Sequence, residues 1–134
     1  MREILFRGQR VDTKEWVYGW YFESFTGISY IIVMHDHILG VTEMYEVIKE
    51  TVGQFTYKID KDEVRIFEGD LMRIGHYQNV HAIVWSEKGY WLCKPVVENS
   101  YHYTGRALWF MDTEFPYATV IGNIHTNPEL LESE

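Results

Sequence analysis

Short apolar runs broken by polar, glycine-bearing turns recur along the whole chain, and their length and alternation predict antiparallel strands. Ile4-Leu5-Phe6 opens a first strand that enters a polar turn at Arg7-Gly8, and Asp12-Thr13-Lys14-Glu15 connects it to Trp16-Val17-Tyr18-Gly19-Trp20-Tyr21-Phe22. That second run carries no charge, which predicts a strand covered on both faces, with Gly19 marking a bulge or a close backbone approach. A turn around Thr26-Gly27 leads to a third strand, Tyr30 to Met34. In Thr42 to Glu50 a helical stripe (Met44, Val47, Ile48) competes with a strand reading; a strand at Met44 to Ile48 is favoured, followed by a turn or one helical turn over Glu50 to Gln54. Phe55-Thr56-Tyr57-Lys58-Ile59 and Val64-Arg65-Ile66-Phe67 alternate on either side of the charged turn Asp60-Lys61-Asp62-Glu63, which is a hairpin pattern.

Beyond Glu68-Gly69-Asp70 the strands shorten. Leu71 to Ile74, Val80 to Trp85 and Tyr90 to Cys93, joined by tight turns, make a meander of the kind that curls into a small SH3-like barrel or packs on another sheet. Pro95 ends it, Val96 to Ala107 reads as connection, Leu108 to Met111 as a strand or short helix, and Tyr117 to Ile124 as the last strand. The expected fold is mainly β, with antiparallel strands in two small subdomains: 1–64, and 65–131 as the barrel-like meander, with 132–134 as an acidic tail. No repeat of solenoid period is present.

Composition sharpens the fold class and narrows the chemistry. Phe, Trp and Tyr total 22 of 134 residues against 7 Leu, a balance suited to pleated sheets. The net charge of −8 opposes phosphate backbones, so nucleic-acid binding over the whole surface is disfavoured. A modest basic stretch, Arg2, Arg7, Arg10 and Lys14 against Glu3 and Asp12, nets +2, whereas the residues after Arg106 net −5. One cysteine, Cys93, forms no internal disulfide, no secretory leader opens the chain, and no apolar run approaches the roughly 18 residues of a membrane helix. The expectation is a cytoplasmic protein without a membrane span.

No catalytic constellation emerges. His35-x-His37 places two imidazoles on one side of a strand, but two ligands do not make a site, and His76, His81, His102 and His125 have no ligand spacing. Cys93, with Trp91, Leu92 and Lys94 as its neighbours, has no base beside it and reads as a packed side chain. The carboxylate pairs Asp60/Asp62 and Glu68/Asp70 sit in turns, where capping is their first reading. Phosphate-cradling loops are absent, and no metal or cofactor is expected.

Several separated blocks carry a resemblance: Arg2-Glu3-Ile4 with Phe6-Arg7-Gly8, Trp16-Val17-Tyr18-Gly19, Glu50-Thr51-Val52-Gly53-Gln54-Phe55-Thr56, Phe67-Glu68-Gly69-Asp70, Val84-Trp85, and Val120-Ile121-Gly122-Asn123-Ile124-His125 with Asn127-Pro128-Glu129-Leu130-Leu131. In their order the chain resembles the YopX family of small phage and prophage proteins. Such proteins often read Thr-Gly-Leu, then an Asp and an Asn-Gly turn, before the Glu-Gly-Asp block, where this chain has Thr56-Tyr57-Lys58-Ile59 and the charged turn Asp60 to Glu63. The resemblance implies a phage or prophage origin, a mainly β fold and a role in the cytoplasm of the infected cell, and it brings no activity with it. The polar and glycine members of the shared blocks, Gly53, Gln54, Glu68, Gly69, Asp70, Asn123 and Asn127, are the candidate binding residues, with turn formation as their first reading. The expected function is a non-enzymatic module that binds a protein partner or its own copies through an aromatic-rich β surface. The alternative is single-stranded nucleic-acid binding by stacking on exposed rings.

Overall fold

The computed structural model describes residues 4–34, 42–74, 80–96, 106–107 and 118–131. The His35-x-His37 pair, His76, His102, the segment Leu108 to Met111 and the tail 132–134 lie outside the described residues. The chain forms two units, Met1–Phe55 and Thr56–Glu134, and passes from one to the other inside a strand.

In the first unit, β1 (Phe6–Gln9), β2 (Trp16–Glu23), β3 (Ser29–Met34) and β4 (Thr42–Glu46) form an antiparallel meander, and the start of β5 (Gly53–Ile59) pairs on the far side of β1. The first strand continues through Arg7-Gly8 instead of turning there. Gly8 pairs with Val17, and a Cβ on it would stand 3.1 Å from the Val47 side chain, so this glycine makes room for packing. The turn falls at Arg10 to Glu15, closed by backbone bonds of 2.9–3.0 Å between those residues and by the Asp12 carboxylate accepting from the Thr13 N–H. The next hairpin is closed by Ser24, whose hydroxyl accepts from the Ile28 N–H.

The ambiguous segment resolves into strand and turn. Strand β4 ends at Glu46, two residues before the expected limit, and a 3-10 turn at Lys49–Thr51 follows. The hydroxyl of buried Thr51 accepts from the Gln9 N–H at 2.9 Å and donates to the Ile48 carbonyl at 2.6 Å, which anchors that turn against β1. Gly53 and Gln54, expected in the turn, already belong to β5 opposite Arg7 and Phe6.

In the second unit the rest of β5 is followed by β6 (Arg65–Phe67), β7 (Asp70–Ile74), β8 (His81–Trp85), β9 (Trp91–Pro95), β10 (Arg106–Ala107) and β11 (Ala118–Asn123). Strands β7 to β11 form one sheet in the order β10-β9-β8-β7-β11. Its core is Ile66, Met72, Ile74, Ile83, Cys93 and Ala118, with Trp91 and Val120 packed against them. The mainly β, antiparallel class expected from the sequence is the class observed, but among the described residues the sheet is open and not a closed barrel. Closure would require β11 to pair with β10. The outer edge of β11 is instead taken by the charged turn: the Lys61 N–H donates to the Ala118 carbonyl, and the Val120 N–H donates to the Asp60 carboxylate.

The hairpin that departs from the family pattern carries its strain openly. Tyr57 and Glu63 adopt φ of 70° and 64°, the left-handed region that costs a side-chain-bearing residue about 1–2 kcal/mol. Exposed Glu63→Gly should therefore stabilise the protein by about 0.5 kcal/mol, the relief of strain less the greater freedom of glycine in the unfolded chain. A higher denaturation midpoint in urea checks this. Among the described residues no helix is long and apolar enough to cross a membrane.

Candidate functional site

Five of the candidate residues, Glu68, Gly69, Asp70, Asn123 and Asn127, come together at one corner of the second unit, where Asp70 and Asn123 are register partners across β7 and β11. Gly69 turns the chain with φ of 91°, donates its N–H to the Ile83 carbonyl at 2.8 Å and accepts from the Ile124 N–H at 2.9 Å. Asp70 is 1% exposed, and its Oδ2 accepts from the Phe67 N–H at 2.7 Å, closing the Glu68-Gly69 bend. On the other strand, Asn123 Oδ1 accepts from the N–H groups of His125 and Thr126. Asn127 Oδ1 accepts from the Asn123 N–H at 3.2 Å and from the Thr126 hydroxyl at 3.0 Å.

These bonds run chiefly to the chain's own backbone, so the chemistry at this corner is turn closure. Gly53 and Gln54 stand apart from it, in the first unit beside β1. Asp60 does similar work: it is 5% exposed, and its carboxylate accepts from Asp62, Val64 and Val120 N–H groups. Its Asp-x-Asp setting in a charged turn is the sequence signal for that role. Cys93 is fully buried in the core, and among the described residues no group of three His, Cys, Asp or Glu side chains is placed to hold a metal ion.

A different feature marks the first unit, an apolar sheet face open to solvent. Side chains alternate along β2, and Tyr18, Trp20 and Phe22 emerge on one face 46%, 55% and 48% exposed. The expectation that Trp16 to Phe22 is covered on both faces therefore fails: absence of charge marked an apolar outer face. Register places Ile32 and Tyr30 of β3 beside Trp20 and Phe22, and Met44 and Glu46 of β4 beside those. Three-strand rows result, Trp20–Ile32–Met44 and Phe22–Tyr30–Glu46. The Phe22 and Tyr30 rings stack at 6.2 Å, and Met44 is 57% exposed. With half of each large side chain open, the four most exposed residues offer about 400 Å², the size of patch that on a monomer is often functional.

The opposite face is the buried one. It holds Ile31, a Phe6–Tyr21 ring contact at 5.7 Å, and the Tyr21 hydroxyl bonded to Ser29 Oγ. Register sets Tyr45, Glu43 and Glu23 on this same Ile31 face, and charge there is organised in pairs. Arg10 holds Asp12 through two hydrogen bonds and lies 4.4 Å over the Tyr45 ring, and Lys49 meets Glu23 at 3.1 Å. The hydrogen bonds from Arg10 hold the Asp12 carboxyl below the usual range, and those from Lys49 do the same for Glu23. Each pair thus adds its small stability at neutral pH and loses it as pH falls through the depressed carboxyl value. Glu43 accepts from the Tyr45 hydroxyl and raises that phenol's pKa. In the second unit Trp85, 53% exposed, meets Trp91 edge to face at 4.8 Å.

A family model described as YopX protein matches residues 5–132. Among solved structures, the crystal structure of protein EF1440 from Enterococcus faecalis is similar, with a TM-score of 0.55 and 22% identity over 98% of this chain and 100% of that one. At that identity the likeness speaks for the fold alone. A comparison with curated proteins returns no match.

Proposed function

Because the chain belongs to the YopX family, and because its first unit opens an aromatic sheet face to solvent, we propose that it is a non-enzymatic binding module acting through Tyr18, Trp20, Phe22 and Met44 on a protein partner or on a second copy. The observation that carries this reading is that face: flat rings that would lower the free energy by burial stand half in water. The glycine–carboxylate corner has the simpler role of fixing the scaffold, since its carboxylate and amide oxygens serve N–H groups of the same chain. Single-stranded nucleic acid would use the same rings by stacking; the carboxylate of Glu46 on the face and the net charge of −8 count against that reading.

Selection of short random peptides on the immobilised full-length chain, together with sedimentation of the chain alone, tests the proposal. The expected result is a ligand, peptide or second copy, whose binding falls about tenfold or more in Trp20→Ser/Phe22→Ser at unchanged melting temperature. Equal binding by that double variant, or no ligand at all, would overturn it. An anisotropy titration with a labelled single strand at low salt reads out the nucleic-acid alternative, and saturable binding lost in the same variant would favour it.

A further inference from the structure

The chemistry of the occupant is written on the face itself. The ladder Trp16, Tyr18, Trp20, Phe22 runs along β2, and at its first ring the chain supplies a cation: Arg7, which shares this face as the register partner of Tyr18, lies 4.7 Å over the Trp16 ring. Arg10 over Tyr45 repeats the arrangement, so this unit covers aromatic rings with guanidinium groups where its own sequence provides them. Further along the ladder, among the described residues, no cation of the chain lies over Trp20 or Phe22.

Of the described side chains on the Trp20–Ile32–Met44 and Phe22–Tyr30–Glu46 rows, Glu46 alone is charged, and it is negative. Adjacent strands lie about 4.8 Å apart, so a planar cation resting on the Phe22–Tyr30 pair would lie within reach of the Glu46 carboxylate one strand further on. Side chains two residues apart on an extended segment are separated by about 6.6 Å, the spacing of Trp20 and Phe22 along β2.

We propose, resting on the binding role argued above, that the occupant of this face is an extended, arginine-bearing segment of a partner protein. One guanidinium stacks on the Phe22–Tyr30 pair and meets Glu46, and the side chain two residues on rests against Trp20 and Met44. A second copy fits less well, since it brings its own net charge of −8 and a second Glu46 to the same contact. A nucleic acid would bring phosphates to the one carboxylate on these rows.

The test uses the full-length chain and the peptides obtained by the random selection. The expected outcome is enrichment of arginine next to apolar residues at two-residue spacing. In the best peptide, Arg→Lys should weaken binding about fivefold and Arg→Glu should abolish it. On the protein side, Glu46→Gln should weaken binding about fivefold, and Trp20→Ser about tenfold, at unchanged melting temperature. Peptides that need Trp20 and Phe22 but carry no arginine, or that bind Glu46→Gln equally well, would overturn the cation chemistry and leave the binding role standing. Concentration-dependent doubling of the sedimenting mass, lost in Trp20→Ser, would overturn it in favour of a second copy. Absence of any ligand that depends on the rings would remove both proposals together.

Discussion

Asp60→Ala is expected to lower the stability of the second unit by about 4 kcal/mol, a large part of what a domain of this size possesses. The residue is 5% exposed, and its carboxylate serves three backbone N–H groups: Asp62 at 2.7 Å and Val64 at 2.9 Å on Oδ1, and Val120 at 3.0 Å on Oδ2. The first two close the turn between β5 and β6. The third fixes the outer edge of β11. Alanine leaves all three donors without this acceptor; those of exposed Asp62 and Val64 can turn in part to water, so their losses fall at the low end of about 1–3 kcal/mol each and that of Val120 higher. Asp60→Asn is the informative companion. Its carbonyl oxygen can keep the two turn bonds, but an amide N–H₂ then faces the Val120 N–H, so the loss should be about half as large. Urea unfolding followed by tryptophan fluorescence reads both, as a lower midpoint at unchanged slope. A loss below about 1 kcal/mol for alanine would mean that the Asp60 turn does not hold β11.

What the sequence made legible, and what it hid, divides along the range of the interactions. The hairpin around Asp60, the bend at Glu68-Gly69-Asp70 and the meander through β8 and β9 could be read because local chemistry sets them: alternation, a glycine at positive φ, a short polar side chain next to the backbone it caps. The limits of β4 and β5 could not. They depend on the bond from Gln9 to Thr51, 42 residues apart, and no window of sequence contains both partners. The same holds for β11, whose pairing with β7 and occupied outer edge decide that the sheet stays open.

The candidate residues were legible as turn chemistry, and five of them do meet at one corner. The aromatic face was half legible. An excess of rings predicted exposed ones, while the uncharged run from Trp16 to Phe22 argued for burial, and the structure sides with exposure because β3 and β4 extend the sheet without covering that side of it.

The corner itself makes the second large prediction, Gly122→Val. A Cβ at Gly122 would stand 2.5 Å from Asn127 Oδ1 and 2.7 Å from its Cγ, so any side chain there displaces the Asn127 amide. Displacement removes the acceptor for the Asn123 N–H and the Thr126 hydroxyl, and it disturbs the register shift between Val120 and Gly122 that sets Asn123 opposite Asp70. Crowding and lost hydrogen bonds together should cost about 3 kcal/mol. Asn127→Gly alone should cost about 1 kcal/mol, for it loses the bonds without the clash. If overlap with Asn127 is the cause, the double variant Gly122→Val/Asn127→Gly should be more stable than Gly122→Val despite carrying one more damaging substitution, a coupling of at least about 1 kcal/mol in a double-mutant cycle. Simple additivity would show that the valine is rejected by strand geometry and not by the asparagine. Binding through the aromatic face, if the proposal above holds, should be unchanged in each variant that remains folded, because the corner and the face belong to different units.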